Sequence, residues 1–165
     1  MSNTGNTNIM NTEIIVFVIA ASATFFNNAL HWYTQVTTYP LLGWVGQAEF
    51  VSFHKEYERR LPFSIYVPYT FLMLSTLLLA FVRPVEVKLG WVLMLLALNA
   101  SIMIISLTFA VPIHNRLQHQ GYSDKGGIRR LIRYNSVRLI ASSASSVIML
   151  YLLIGLLLNR TATSY

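Results

Sequence analysis

Four long apolar stretches that contain no Asp, Glu, Lys or Arg restrict the fold of this chain more than any other feature of its sequence. A helix needs about 20 apolar residues to cross the ~30 Å hydrocarbon core of a bilayer, and each stretch is long enough. The sequence shows no regular alternation of apolar and polar residues of the kind that indicates a β-strand. The sequence therefore predicts an all-α fold, a four-transmembrane-helix bundle with spans at Ile14–Val36, Phe63–Val82, Leu89–Val111 and Leu139–Leu158.

The overall composition agrees with a membrane protein of one domain. Of the 165 residues, 55% are apolar and only 11% are charged, whereas soluble domains carry about 25% charged residues. The absence of cysteine excludes disulfides, thiolate metal sites and cysteine nucleophiles. A net charge of +6 is typical of loops that face the cytoplasm, so we expect the lipid bilayer, and no nucleic acid, as the partner.

The segments outside the spans differ in character. Residues 1–13 are polar and contain no Lys or Arg, which predicts a disordered tail before a single membrane domain over 14–158 and a short tail over 159–165. Residues 45–61, between the first and second spans, predict an amphipathic helix at the membrane interface. Its predicted apolar face includes His54 and carries Phe50, Phe53, Tyr57 and Leu61.

The basic residues predict the orientation of the bundle. By the positive-inside rule, the end richer in Lys and Arg faces the cytoplasm. The end with the two longer connections carries nine basic residues, and the end with both termini carries three. We therefore expect the long loops in the cytoplasm and both termini outside. The nine are Lys55, Arg59, Arg60, Arg116, Lys125, Arg129, Arg130, Arg133 and Arg138, and the three are Arg83, Lys88 and Arg160.

All four histidines of the chain fall at the long-loop end of the bundle. Ionisable groups near hydrocarbon are costly, about 2.5–3.5 kcal/mol for a charge at the helix centre, so this cluster indicates a functional site. His31 lies near the end of the first span, and His114 follows the third. His54 lies in the amphipathic helix, where the carboxylate of Glu58, one turn later, could orient its ring. His119 is predicted to face solvent in a loop.

Two polar stripes accompany the histidines. Asn27, His31 and Gln35 recur at helical spacing in the first span, which places them on one helix face. In the last helix, Asn135 and Arg138 share a face, and Arg138 enters the apolar stretch. A guanidinium at this depth needs a partner, either a carboxylate or an anionic group of a ligand.

One kind of site compatible with these residues contains a cofactor. Imidazole nitrogens bind iron, copper and zinc, and four-helix bundles hold metals or haem between inward-facing histidines. No local spacing, such as His-x-x-x-His, forms a metal motif here. A metal site would therefore be assembled from His31, His54 and His114, with or without Glu58. Cofactor binding, of a metal ion or haem, is predicted for His31, Glu58 and Tyr57.

The other kind of site contains no metal. A histidine base beside a guanidinium that stabilises an oxyanion would deprotonate a lipophilic phenol or enol, or isomerise a double bond. Three tyrosines near the same level, Tyr39, Tyr57 and Tyr66, add hydrogen-bond donors. On this hypothesis the catalytic residues are His54, His114, Arg138 and Asn135.

Several short motifs resemble those of a known family. They are Tyr39-Pro40-Leu41-Leu42, Phe53-His54-Lys55-Glu56-Tyr57, Pro112-Ile113-His114-Asn115-Arg116-Leu117 and Asn135-Ser136-Val137-Arg138. Over most of its length after residue 25, the chain resembles a family of small bacterial four-helix membrane proteins that are similar in size and layout to anthrone-oxygenase-like proteins. The resemblance implies a location in the bacterial inner membrane. It also implies the oxidation of a polycyclic aromatic compound without a classical cofactor.

Three classes of function are compatible with this sequence. The first is a membrane-embedded oxidoreductase or oxygenase whose lipophilic small-molecule substrate enters from the bilayer. The second is a non-catalytic membrane subunit, or a protein that binds haem, quinone or a pigment. The third is a small transporter or channel that works as a homo-oligomer, although the sequence shows no inverted repeat of the kind found in transporters.

Overall fold

The computed structural model describes residues 4–121 and 126–162 and confirms an all-α bundle with four segments long and apolar enough to cross a membrane. Three of these segments consist of two α-helices joined by a five-residue π-helical turn. The first contains α1 (Thr4–Tyr33), the turn Thr34–Thr38 and α2 (Tyr39–Leu42), and the second contains α3 (Gln47–Leu61), the turn Pro62–Tyr66 and α4 (Val67–Phe81). The third contains α5 (Leu89–Ile105), the turn Ser106–Ala110 and α6 (Val111–Gln120), and the fourth is α7 (Gly126–Ala162).

The helices extend beyond the predicted spans. α1 begins at Thr4 and so covers part of the predicted N-terminal tail. Such extension is favoured because an established helix gains one hydrogen bond for each residue that it adds. The predicted amphipathic helix corresponds to α3, and it runs through a π turn directly into the second span. α6 and the start of α7 likewise extend the bundle at the long-loop end.

A proline follows each π turn at the same distance. Pro40, Pro68 and Pro112 each lie two residues after the last residue of a turn. In a regular α-helix, a proline offers no N–H to the carbonyl four residues earlier, and its ring would clash with that carbonyl. The helix widens instead, and the residue before each proline donates its N–H to the carbonyl five residues earlier, as Val111 does to Ser106. The three prolines therefore account for three wide turns at one level of the bundle.

Within the described part of the chain, the bundle packs around two apolar cores. α1 packs against α4 and α7, and α5 contacts the same two helices, which closes the four segments into a ring. One core lies near the end with both termini and includes Phe17 and Leu95. The other lies at the long-loop end and includes Phe50 and Leu131. Along the segments, the π turns lie between these two cores.

The outer surface of the spans is apolar. Phe71, Ile104 and Val147 are 53%, 60% and 67% exposed, and many other large apolar side chains face outwards. So much apolar surface is unfavourable in water and suits contact with lipid. The protein is therefore an integral membrane protein.

Candidate functional site

A cavity of about 310 Å³ lies between the two apolar cores, at the level of the π turns. Each π turn contributes to its wall, the first through Thr34, the second through Ile65 and the third through Ser106. A π turn holds one residue more than a regular helical turn and displaces the backbone around it. The wide turns that the prolines impose thus shape this space.

Part of the cavity wall faces out of the bundle. Tyr66, Met103 and Leu107 line the cavity, and yet they are 51%, 41% and 61% exposed. Tyr66 belongs to the second segment, and Met103 and Leu107 belong to the third. The wall between these two segments therefore faces the surrounding bilayer.

Arg138 lies in the cavity wall with only 7% of its surface exposed. Its Nη2 donates hydrogen bonds to the Tyr39 hydroxyl at 3.0 Å and to Oδ1 of Asn135 at 2.9 Å, and its Nη1 donates to Oγ of Ser106 at 3.1 Å. All three acceptors are neutral. Within residues 4–121 and 126–162, no carboxylate pairs with this guanidinium and its Nε has no hydrogen-bond partner. A buried cation without a counter-charge is costly, so this wall suits a ligand with an anionic group.

Tyr39 connects Arg138 to a pair of stacked histidines. The Tyr39 hydroxyl lies 3.2 Å from Nε2 of His114, and Nδ1 of His114 lies 3.2 Å from Nε2 of His54. The two imidazole rings are nearly parallel, with 5.2 Å between their centres. His54 is fully buried and stacks on Phe50, and its Nδ1 has no hydrogen-bond partner among the described residues. The structure thus brings together two of the predicted site histidines.

The carboxylate of Glu58 adds a third potential metal ligand to this pair of histidines. Its Oε1 lies 3.5 Å from Nε2 of His54 and 3.8 Å from Nδ1 of His114. The three atoms lie within 4.8 Å of one another and could hold a metal ion. Nitrogens on opposite sides of a haem iron are about 4 Å apart, at ~2 Å per metal–nitrogen bond, so the 3.2 Å between these two nitrogens suits a single metal ion better than a haem held by this pair.

His31 lies elsewhere in the cavity wall. Among the described residues, the group that could hold a metal contains Glu58 beside His54 and His114, and His31 is not part of it. His31 lines the cavity, as Asn135 does. The buried Asn135 donates from Nδ2 to the backbone oxygen of His31 at 3.2 Å and to Oε1 of Gln35 at 2.8 Å. The predicted polar stripe of the first span therefore faces the bundle interior.

The remaining predicted residues fall around the same level. Tyr57 lines the cavity, and its ring centre lies 6.0 Å from that of His114. His119 is exposed, with Nδ1 2.7 Å from the backbone oxygen of Asn115. Sequence reasoning missed Ser106 as a partner of Arg138 and did not recognise the π turns. The three intramembrane prolines were the available signal for the turns.

Comparisons with known proteins do not assign the chain to a family. It matches no protein-family model, no curated protein and no solved structure. The resemblance to anthrone-oxygenase-like proteins therefore stays a prediction from the sequence motifs.

Proposed function

We propose that this protein is a membrane-embedded oxidoreductase or oxygenase that acts on a lipophilic small molecule in the cavity. The observation that carries the proposal is the buried guanidinium of Arg138, which has only neutral partners among the described residues. A phenolate or enolate oxygen would supply the missing negative charge. The rest of an aromatic molecule would contact apolar residues such as Leu30 and Ile102.

One part of the cavity lining, here called the polar wall, is formed by Tyr39, His114, Asn135 and Arg138. These side chains support removal of a proton from the substrate and stabilisation of the resulting oxyanion. Tyr39 lines the cavity and contacts His114, so these two side chains can take up a proton from the substrate. Arg138 stabilises the negative charge that develops on the substrate oxygen. Asn135 accepts a hydrogen bond from Arg138 and thereby fixes the position of its guanidinium.

An anthrone fits this chemistry and the resemblance noted in the sequence. Loss of a proton from its methylene carbon gives an enolate with the charge on oxygen. Reaction with O₂ replaces the two methylene hydrogens by one oxygen atom and releases the second oxygen atom as water. We further propose that the protein lies in a bacterial inner membrane with its long loops in the cytoplasm, as the distribution of basic residues supports.

The test uses anthrone as the probe with the detergent-purified, full-length protein. O₂ consumption and anthraquinone absorbance are measured together. We expect turnover by the wild type and a loss of about 10²–10³-fold in kcat/KM for Arg138→Met, the effect of removing one oxyanion donor. Arg133→Met is the matched control, because Arg133 is exposed on the same helix. It should leave kcat/KM unchanged.

Two results would contradict the proposal in different ways. A wild-type protein that binds anthraquinone through Arg138 but turns over no anthrone would favour the alternative, a non-catalytic quinone- or pigment-binding protein. A protein that neither binds nor converts these compounds would overturn both functions.

A further inference from the structure

We infer that His54, Glu58 and His114 bind one divalent transition-metal ion, of the Zn²⁺ or Fe²⁺ class, behind the polar wall of the cavity. The geometry of this site stands alone, and its consequence for catalysis rests on the proposed function.

The distances between the three donor atoms fit a shared metal. They are 3.2, 3.5 and 3.8 Å. Two ligand atoms that each lie ~2.0–2.2 Å from a tetrahedral metal are separated by about 3.3–3.6 Å. The two distances that involve Glu58 exceed those of ordinary hydrogen bonds, so hydrogen bonding does not explain why its carboxylate lies beside both rings.

The chemical types of the three ligands indicate which metal ions the site would bind. Two imidazoles and one carboxylate are the ligands of catalytic zinc sites and of non-haem iron(II) sites, whereas Mg²⁺ and Ca²⁺ prefer oxygen donors throughout. His54 and Glu58 lie one turn apart on α3, and His114 lies on α6, which packs against α3. The ion would therefore join the second and third segments. Three protein ligands leave a fourth position open.

Metal binding would fix the direction of the hydrogen bond between His114 and Tyr39. With the metal on Nδ1, the His114 proton sits on Nε2 and is donated to the Tyr39 oxygen, 3.2 Å away. That oxygen also accepts from Arg138 at 3.0 Å. In this metal-bound form His114 would no longer take up a substrate proton, and the hydroxyl hydrogen of Tyr39 would instead be free to be donated to the oxygen of a molecule in the cavity. Of the three ligands only His114 lines the cavity, so the metal would act on a substrate through His114 and Tyr39.

The inference is tested by metal analysis and by titration of the chelator-treated protein with Zn²⁺ and Co²⁺. We expect one ion per chain in the wild type. His54→Ala and Glu58→Gln should each weaken binding by more than about 100-fold. Tyr39→Phe removes the acceptor behind His114 but none of the three ligands, and it should weaken binding about 10–100-fold. His31→Ala and His119→Ala are the controls and should bind as the wild type does. Glu58→Gln keeps the size of the side chain, so it decides the test if His54→Ala does not fold.

Failure of this inference is distinguishable from failure of the proposed function. A wild-type protein that takes up no stoichiometric Zn²⁺, Fe²⁺ or Co²⁺, or binding that Glu58→Gln leaves unchanged, would overturn the metal site. Arg138-dependent conversion of anthrone by that metal-free protein would leave the proposed function intact. Conversely, metal bound through Glu58 in a protein that neither binds nor converts anthrone would support the metal site and overturn the function.

Discussion

Nη2 of Arg138 in α7 donates a 3.0 Å hydrogen bond to the hydroxyl of Tyr39 in α2, and this contact joins the first and last segments of the bundle at the cavity. Tyr39 also contacts His114 of the third segment. Cation, phenol and imidazole therefore form one connected array beside an apolar space. Because its members share partners, changes to them should not be additive.

An internal carboxylate should compete with the substrate for Arg138. Ser106 Oγ accepts from Nη1 of Arg138 at 3.1 Å, so Ser106→Asp would place a negative charge beside the guanidinium. We expect kcat/KM for anthrone to fall at least roughly tenfold, because like charges placed together cost several kcal/mol. Ser106→Asn, which is similar in size and neutral, should lose much less. Equal losses in both variants, measured by anthraquinone formation, would point to crowding rather than charge.

Removal of a proline should restore a regular helix and distort the cavity. Pro112→Ala supplies an N–H for the carbonyl of Thr108 and removes the ring that clashes with it. We expect the KM for anthrone to increase, because a regular turn would close part of the cavity and rotate His114 by about 100°. Pro84→Ala, in the turn between α4 and α5, is the control. An unchanged KM for Pro112→Ala would show that the wide turn is not needed for binding.

A bulky side chain in the outward-facing wall should slow entry from the bilayer. Leu107 lines the cavity and is 61% exposed, whereas Ile104 on the same segment is 60% exposed and does not line it. Leu107→Trp should reduce the association rate of anthraquinone by roughly tenfold, within the range over which mutations change association rates. Ile104→Trp should leave the rate unchanged. Stopped-flow fluorescence in liposomes measures both, and equal rates would place the entrance elsewhere.

The predicted orientation can be checked without background labelling because the chain has no cysteine. Trp44, in the loop between α2 and α3, is 86% exposed, and Val85, in the loop between α4 and α5, is 91% exposed. A membrane-impermeant maleimide added to intact cells should label Val85→Cys and spare Trp44→Cys until the cells are opened. The reverse pattern would place the long loops outside.

The four spans could be predicted because the evidence for each is local. The length and polarity of a stretch decide whether it can cross a bilayer, and no distant contact changes that. The wide turns are also encoded locally, by Pro40, Pro68 and Pro112. They were missed because a proline in a helix can kink, end or widen it, and the choice depends on packing.

The depth of the site along the bundle was predictable from the sequence. Which way each site residue points around its helix was not. Position along a helix places His31, His54 and His114 at the same end of the bundle. Which of them meet depends on how each helix is rotated, and one additional residue in a turn rotates everything after it by about 100°. His114 follows such a turn, whereas His31 and His54 precede theirs. The sequence therefore could not show that Glu58, rather than His31, lies beside the other two.

The three wide turns also bear on how such a protein can evolve. A one-residue insertion into an α-helix can be accommodated as a π turn while the helix on either side stays intact. A chain with one residue fewer in each of Thr34–Thr38, Pro62–Tyr66 and Ser106–Ala110, and without the prolines that follow them, would have regular helices and both apolar cores, but not the space between them. Three small insertions, each followed by a proline, are therefore enough to turn a solid membrane bundle into one that contains a binding chamber.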